Sequence, residues 1–181
     1  MHSLLPPVSS ADLNAATAPA SPSTSPGLSS AAGLTLTHEP AASLEGALPP
    51  ILVADDDEDD LYFIQRLLKR TGTKHPIKTF DDGSEVVNYL GSHLQRAARP
   101  QLPNLLFLDL KMTGLGGFGF LEWARQQRGL APLTIVVLSN SSEPGDMAQA
   151  LALGAHRYLV KYPCVQTMTT IVRSVYPFTL V

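Results

Sequence analysis

The sequence predicts an α/β fold: a doubly wound, five-stranded parallel sheet of strand order 2-1-3-4-5 with helices on both faces. Three observations predict it. Short apolar runs alternate five times with stretches whose apolar residues recur at helical spacing. The runs are continuous rather than alternating, as strands covered on both faces are. Right-handed crossovers leave few topologies for such a chain, and this order puts a ligand site at the carboxyl ends of the strands, near the switch between strands 1 and 3.

Each element has its own signal. Ile51-Leu52-Val53-Ala54 is an apolar run that ends in six acids, Asp55 to Asp60. Leu61, Ile64 and Leu68 follow at helical spacing, with Leu67 beside them, and Arg66, Lys69 and Arg70 suit the negative end of that helix. Gly72 stops it. Ile77 to Phe80 is a short second strand, Asp81-Asp82-Gly83 a turn, and Val86, Val87 and Leu90 mark the next helix. A polar loop runs to Pro103. Leu105 to Leu108 is the third strand, and a Gly-rich loop leads to a helix carrying Phe118, Leu121 and Trp123. Leu133 to Leu138 is the fourth strand. Pro144 suits the first turn of a helix that Gly154 closes. Tyr158-Leu159-Val160 is the fifth strand, and Val165, Met168, Val172 and Val175 form the stripe of a final helix.

The chain divides near residue 50. Residues 1–49 hold 7 of the 15 prolines, 10 alanines and 9 serines, but no Lys, Arg or aromatic residue. Such a segment has little to bury against the cost of ordering its backbone, so a disordered extension is expected. It lacks the basic start of a secretory signal and the arginines of a transit peptide. Residues 50–181 are formally neutral and of ordinary single-domain size. The whole chain carries a net charge of −3, which argues against non-specific nucleic-acid binding. A single cysteine, Cys164, excludes an intrachain disulfide, and no apolar run is long enough for a membrane span.

Four of the five predicted strands end in a chemically pointed residue: Asp55 and Asp56, Asp109, Ser139, and Lys161. In a parallel sheet these ends face one way, so three carboxylates, a hydroxyl and an ammonium should line one pocket. Crowded carboxylates repel one another unless a cation joins them, and hard oxygen ligands at a pocket mouth suit Mg²⁺. A carboxylate nucleophile, a divalent metal, a cation and a hydroxyl donor together make a phosphoryl-transfer site, in which the metal and Lys161 offset charge on the phosphoryl oxygens. Asp57 to Asp60 are expected to cap and charge the first helix. Gly114 to Gly119 matches G-x-G-x-x-G, but it does not follow the first strand, and Ser139 stands where the ribose-binding acid should be. Five histidines (2, 38, 75, 93 and 156) have no ligand spacing and are expected to face solvent.

The arrangement resembles the receiver domain of two-component response regulators, a flavodoxin-like fold. The resemblance rests on five features in order: the apolar strand before Asp55-Asp56, Leu-Asp109-Leu-Lys-Met, Val-Val-Leu-Ser139, Gly154-Ala155, and Tyr158-Leu-Val-Lys161. It implies that Asp109 is the phosphoacceptor and that Asp55, Asp56, Asp109 and the backbone carbonyl of Lys111 hold Mg²⁺. It further implies that Lys161 contacts the phosphoryl group, that Ser139 is the switch hydroxyl and that Tyr158 is the aromatic residue whose rotamer follows it. Two positions depart from the family: Tyr162 stands between Lys161 and Pro163, where the family has Pro directly after the lysine, and Thr113 replaces a common Pro.

The function implied is that of a cytoplasmic, single-domain response regulator, phosphorylated by a sensor histidine kinase or a phosphotransfer protein and not itself a turnover enzyme. Only 20 residues follow Lys161, so output is expected by protein contact through helix 4, strand 5 and helix 5, without nucleic acid or membrane. The alternative is a receiver-like interaction module that is never phosphorylated, for which Lys-Tyr-Pro is the support. Lys111 is expected to rim the pocket with Ser141 opposite, the two flanking the approach of water to an acyl phosphate.

Overall fold

The structure is a computed structural model that describes residues 48–96 and 101–177. The disorder expected of residues 1–49 therefore falls, except for positions 48 and 49, outside the described residues.

Five parallel strands form one sheet in the order 2-1-3-4-5: β1 (Ile51–Ala54), β2 (Ile77–Phe80), β3 (Leu105–Leu108), β4 (Thr134–Ser139) and β5 (Arg157–Val160). Five α-helices alternate with them: α1 (Glu58–Arg70), α2 (Gly83–Gln95), α3 (Gly116–Ala124), α4 (Pro144–Ala152) and α5 (Val165–Val175). The predicted elements are all present, with shifts of a residue at the edges of β4 and β5.

The side chains of each central strand divide between two cores, because successive residues point to opposite faces. Leu52, Ala54, Leu106 and Leu108 pack with Val86, Leu90, Phe120 and Leu121 of α2 and α3. Ile51, Val53, Leu105 and Phe107 pack with Ile64, Leu67 and Leu68 of α1 and Met168, Ile171 and Val172 of α5. A continuous apolar run is thus two half-runs, one for each core. The fifth strand does not share this burial: Arg157 and Val160 are exposed, and Tyr158 and Leu159 are half-buried. It lies at the edge of the sheet, and the sequence overstates its coverage.

Of the five histidines, His2 and His38 lie outside the described residues, and His75 departs most from the solvent-facing expectation. His75 is buried, stacks on Tyr176 with ring centroids 3.7 Å apart, and its Nδ1 lies 2.7 Å from the carbonyl of Pro49. That carbonyl can only accept, so Nδ1 donates. His93 is half-buried, and His156, though exposed, accepts the Ile135 N–H at 3.1 Å. The Pro49 contact also places at least one residue of the predicted extension against the folded unit. A chain beginning at Pro50 should be less stable than one beginning at Leu48 by about 1 kcal/mol, the net value of one hydrogen bond. Urea denaturation of the two chains measures this, and equal midpoints would contradict it.

Candidate functional site

The sheet's own ladder fixes the site residues. Hydrogen bonds run past the strand ends: Asp55 N–H to Phe80 O at 3.1 Å, Asp109 N–H to Ala54 O at 2.8 Å, and Lys161 N–H to Ser139 O at 3.0 Å. Asp55, Asp109 and Lys161 are therefore held by their backbones to the neighbouring strands before their side chains make any contact.

Asp55 and Asp109 are buried, at 1% and 4% exposure, and Asp56 is exposed. Carboxylate oxygens of all three lie within 4.8 Å of one another. They line a cavity of about 180 Å³ with Asp57, Asp60, Lys111, Asn140 and Lys161. The loop after β3 is tied down by the same acids. Asp109 Oδ2 accepts the Lys111 N–H at 2.8 Å, and Asp56 Oδ2 accepts the Thr113 N–H at 2.8 Å. The glycines of this loop serve close approach rather than a dinucleotide. A Cβ on Gly117 would sit 2.2 Å from the Asp109 carbonyl oxygen, so only glycine lets α3 start there.

Lys161 is the hub of the charge. Its Nζ lies 2.6 Å from Asp60 Oδ2, 2.8 Å from Asp55 Oδ2 and 3.4 Å from Asp109 Oδ1. Burial among these acids works against the ammonium, yet the pull of Asp55 and Asp60 outweighs it and holds the proton on more firmly than usual. Burial is also the main influence on Asp55, and it wins there: its carboxyl is pushed from 3.8 to about 6, despite Lys161 and with some help from Asp109. Asp55 Oδ2 is close to the ammonium but lacks a hydrogen bond of proper angle.

Buried carboxylates in excess of the one lysine, with a poorly satisfied oxygen among them, fit a hard divalent cation. The donor set of Asp55, Asp56 and Asp109 is of the kind Mg²⁺ takes, all oxygen and anionic.

The other predicted residues are placed as follows. Ser139 is fully buried at the end of β4, and its Oγ accepts the Ser141 N–H at 3.2 Å. Tyr158 is half-buried, and its hydroxyl donates to the Ser141 carbonyl at 2.8 Å. The Ser141 side chain does not face Lys111. Its hydroxyl donates to Asp146 Oδ2 of α4 at 2.6 Å. The turn closed on Ser139 Oγ swings it toward α4, and Asn140 takes the place at the cavity rim.

Two residues were missed by sequence reasoning. Asp57 does cap α1, accepting the N–H groups of Asp59 and Asp60. Asp60, however, is no solvated first-turn acid: it is 5% exposed, and both its oxygens are engaged. Its signal was the apolar stripe of α1, since Ile64, Leu67 and Leu68 extended back by one turn reach position 60. Its second partner is Tyr162, whose hydroxyl donates to Asp60 Oδ1 at 2.6 Å.

Comparison with known proteins points to one family. The family model described as "Response regulator receiver domain" matches residues 51–173. Response regulator Rcp1 of Synechocystis is 27% identical over 134 residues, 73% of this chain and 90% of Rcp1. The alkaline phosphatase synthesis regulatory protein PhoP of Bacillus subtilis is 32% identical over 61% of this chain, but the match spans only 41% of PhoP. The crystal structure of the phosphorylated cyanobacterial phytochrome response regulator RcpA superposes with a TM-score of 0.59 at 26% identity, covering 74% of this chain and 94% of RcpA. The Mn²⁺-bound form of Rcp1 superposes with a TM-score of 0.56 at 25% identity, covering 74% of this chain and 99% of Rcp1. Among the described residues, no helix is long and apolar enough to cross a membrane.

Proposed function

The chain belongs to the response regulator receiver family, and from that premise we propose that it accepts a phosphoryl group on Asp109 from a histidine kinase or a phosphotransfer protein. The observation that carries the proposal is the placement of Asp109: buried at a strand end, within reach of two further carboxylates and facing the one buried ammonium.

In the proposed step a carboxylate oxygen of Asp109 bonds to phosphorus as the phosphorus–nitrogen bond of the donor phosphohistidine breaks. The electron pair stays on the imidazole nitrogen, which takes up a proton from water. Asp55, Asp56, Asp109 and the Lys111 carbonyl would hold Mg²⁺, which would supply positive charge against the phosphoryl oxygens. Lys161 pairs with one of those oxygens from the side of β5. Ser139 and Tyr158 report the change by rearranging around the Ser141 carbonyl, where the Tyr158 hydroxyl now sits. The receiver unit is residues 50–181, with Pro49 packed against it, and it acts in the cytoplasm through a protein target.

The test is incubation with acetyl phosphate and Mg²⁺, read by intact mass. A single phosphoryl increment that is lost with hydroxylamine, as acyl phosphates are, is expected. No increment at any donor concentration would favour the unphosphorylated interaction module.

A further inference from the structure

Asp60 and Tyr162 form a pair that the phosphotransfer reading leaves unused. Lys161 approaches Asp60 more closely than it approaches Asp109, at 2.6 Å against 3.4 Å. The site's one buried cation is thus engaged by a carboxylate that is neither nucleophile nor part of the metal trio. Asp60 divides its charge: Oδ2 takes Lys161 and Oδ1 takes the Tyr162 hydroxyl, each at 2.6 Å. Burial alone would raise the Asp60 carboxyl, but these two bonds prevail and hold it below its ordinary value. It is therefore an anion, and Tyr162 is its neutral donor.

The Tyr162 contact is held by more than chance rotation. Its ring meets Phe63 of α1 edge-on, with centroids 5.0 Å apart and planes at 89°. Its φ is +64°, the one positive value among the described non-glycine residues. An L-residue enters that region only against its own preference, so the surrounding contacts hold the backbone there.

We infer that Asp60 competes with the phosphoryl group for Lys161, and that Tyr162 is a positioning residue that weakens the competition by satisfying Asp60 when Lys161 leaves. The inference rests on Asp109 being the phosphoacceptor. An ammonium has three donors, and in the free protein one of them is given to Asp60 while Asp55 holds the same nitrogen as a close ion pair. A phosphoryl group on Asp109 draws Lys161 away from Asp60. Without Tyr162, that movement would strand a buried carboxylate, which is costly. With it, Asp60 keeps a charge-assisted hydrogen bond throughout. The hydroxyl also withdraws charge from Asp60 beforehand, which loosens its grip on the lysine.

The two residues should therefore act with opposite signs. The probe is beryllium fluoride with saturating Mg²⁺, a phosphoryl mimic, and the readout is its half-saturating concentration by ¹⁹F NMR. Asp60→Asn removes the competitor and should lower that concentration by roughly tenfold, the low end for one hydrogen bond between charged groups. Tyr162→Phe keeps the ring against Phe63 and removes only the hydroxyl. It should raise the concentration by about threefold, the low end of a hydrogen bond's net contribution. In the double variant the tyrosine effect should vanish, because it acts through Asp60. A merely structural role would weaken binding in both single variants and add in the double. Weaker or unchanged binding in Asp60→Asn, or a Tyr162→Phe effect that persists in the double variant, would overturn the inference. If the wild-type chain binds no beryllium fluoride and takes no phosphoryl label, the reading of Asp109 has failed, and this inference falls with it.

Discussion

Asp109→Asn is expected to reduce phosphoryl incorporation to background while leaving the fold intact. An amide has no oxygen basic enough to attack phosphorus, so the reaction loses its nucleophile rather than part of its stabilisation. The structure indicates why folding should survive. The Asn oxygen can still accept the Lys111 N–H that Asp109 Oδ2 accepts now. Lys161 keeps its two nearer partners, Asp55 and Asp60. One of the charges that burden Asp55 is removed as well. Melting should therefore occur at or above the wild-type temperature, and a labelling time course on the same preparation should be flat. Undiminished label on a folded variant would move the phosphoacceptor elsewhere.

The second large effect is a stability that falls toward neutral pH when metal is withheld. The carboxyl of Asp55 is pushed from 3.8 to about 6, chiefly by burial. A raised value means that the folded state binds this proton more tightly than the unfolded chain does. Its stabilising contribution is fully present below about 4 and is lost as pH rises through about 6. At about 1.4 kcal/mol for each pH unit, the loss is of the order of 3 kcal/mol. Asp60 has the opposite sign: its carboxyl is held low, so its contribution is present above the ordinary value of 3.8 and lost on strong acidification. The metal-free protein should thus be most stable between these limits and melt lower at about pH 7 than at about pH 5. Asp55→Asn should abolish that difference and exceed wild type near neutrality, while losing the stabilisation by Mg²⁺ that wild type shows. A variant that melts lower than wild type at both pH values, without metal, would contradict the argument.

The sequence made the sheet legible because a central strand must satisfy two cores at once, and only an unbroken apolar run does so. Ile51 to Ala54 and Leu105 to Leu108 could hardly be anything else. The same reasoning overreached at β5, where an edge strand carries similar residues with one side uncovered. At the site, strand ends were easy to find and loop side chains were not. Asp55, Asp109 and Lys161 meet because the ladder dictates where their Cα atoms go, and Asp56 follows Asp55 directly. Ser141 turns to Asp146 because of a hydrogen bond closed two residues earlier, a contact that spacing along the chain does not encode. Asp60 was hidden by its neighbours: in a run of six acids, charge alone does not tell which one faces inward. Tyr162 was noticed as a departure, but its partner lies on α1, far away in sequence.

The parallel pairing of β1 with β3 carries a kinetic consequence. The two strands are joined through a long crossover that contains α1, β2 and α2, so their contact closes late and at a high entropic cost. The Asp109 N–H to Ala54 O bond belongs to that closure. The moment that zips the middle of the sheet is also the moment that brings Asp55 and Asp109 together. Their mutual repulsion therefore falls on the route to the native state as well as on the native state itself. The residues that prepare this protein for signalling should make it a slow folder when no counter-cation is at hand, and a divalent ion present during refolding should act as an accelerant.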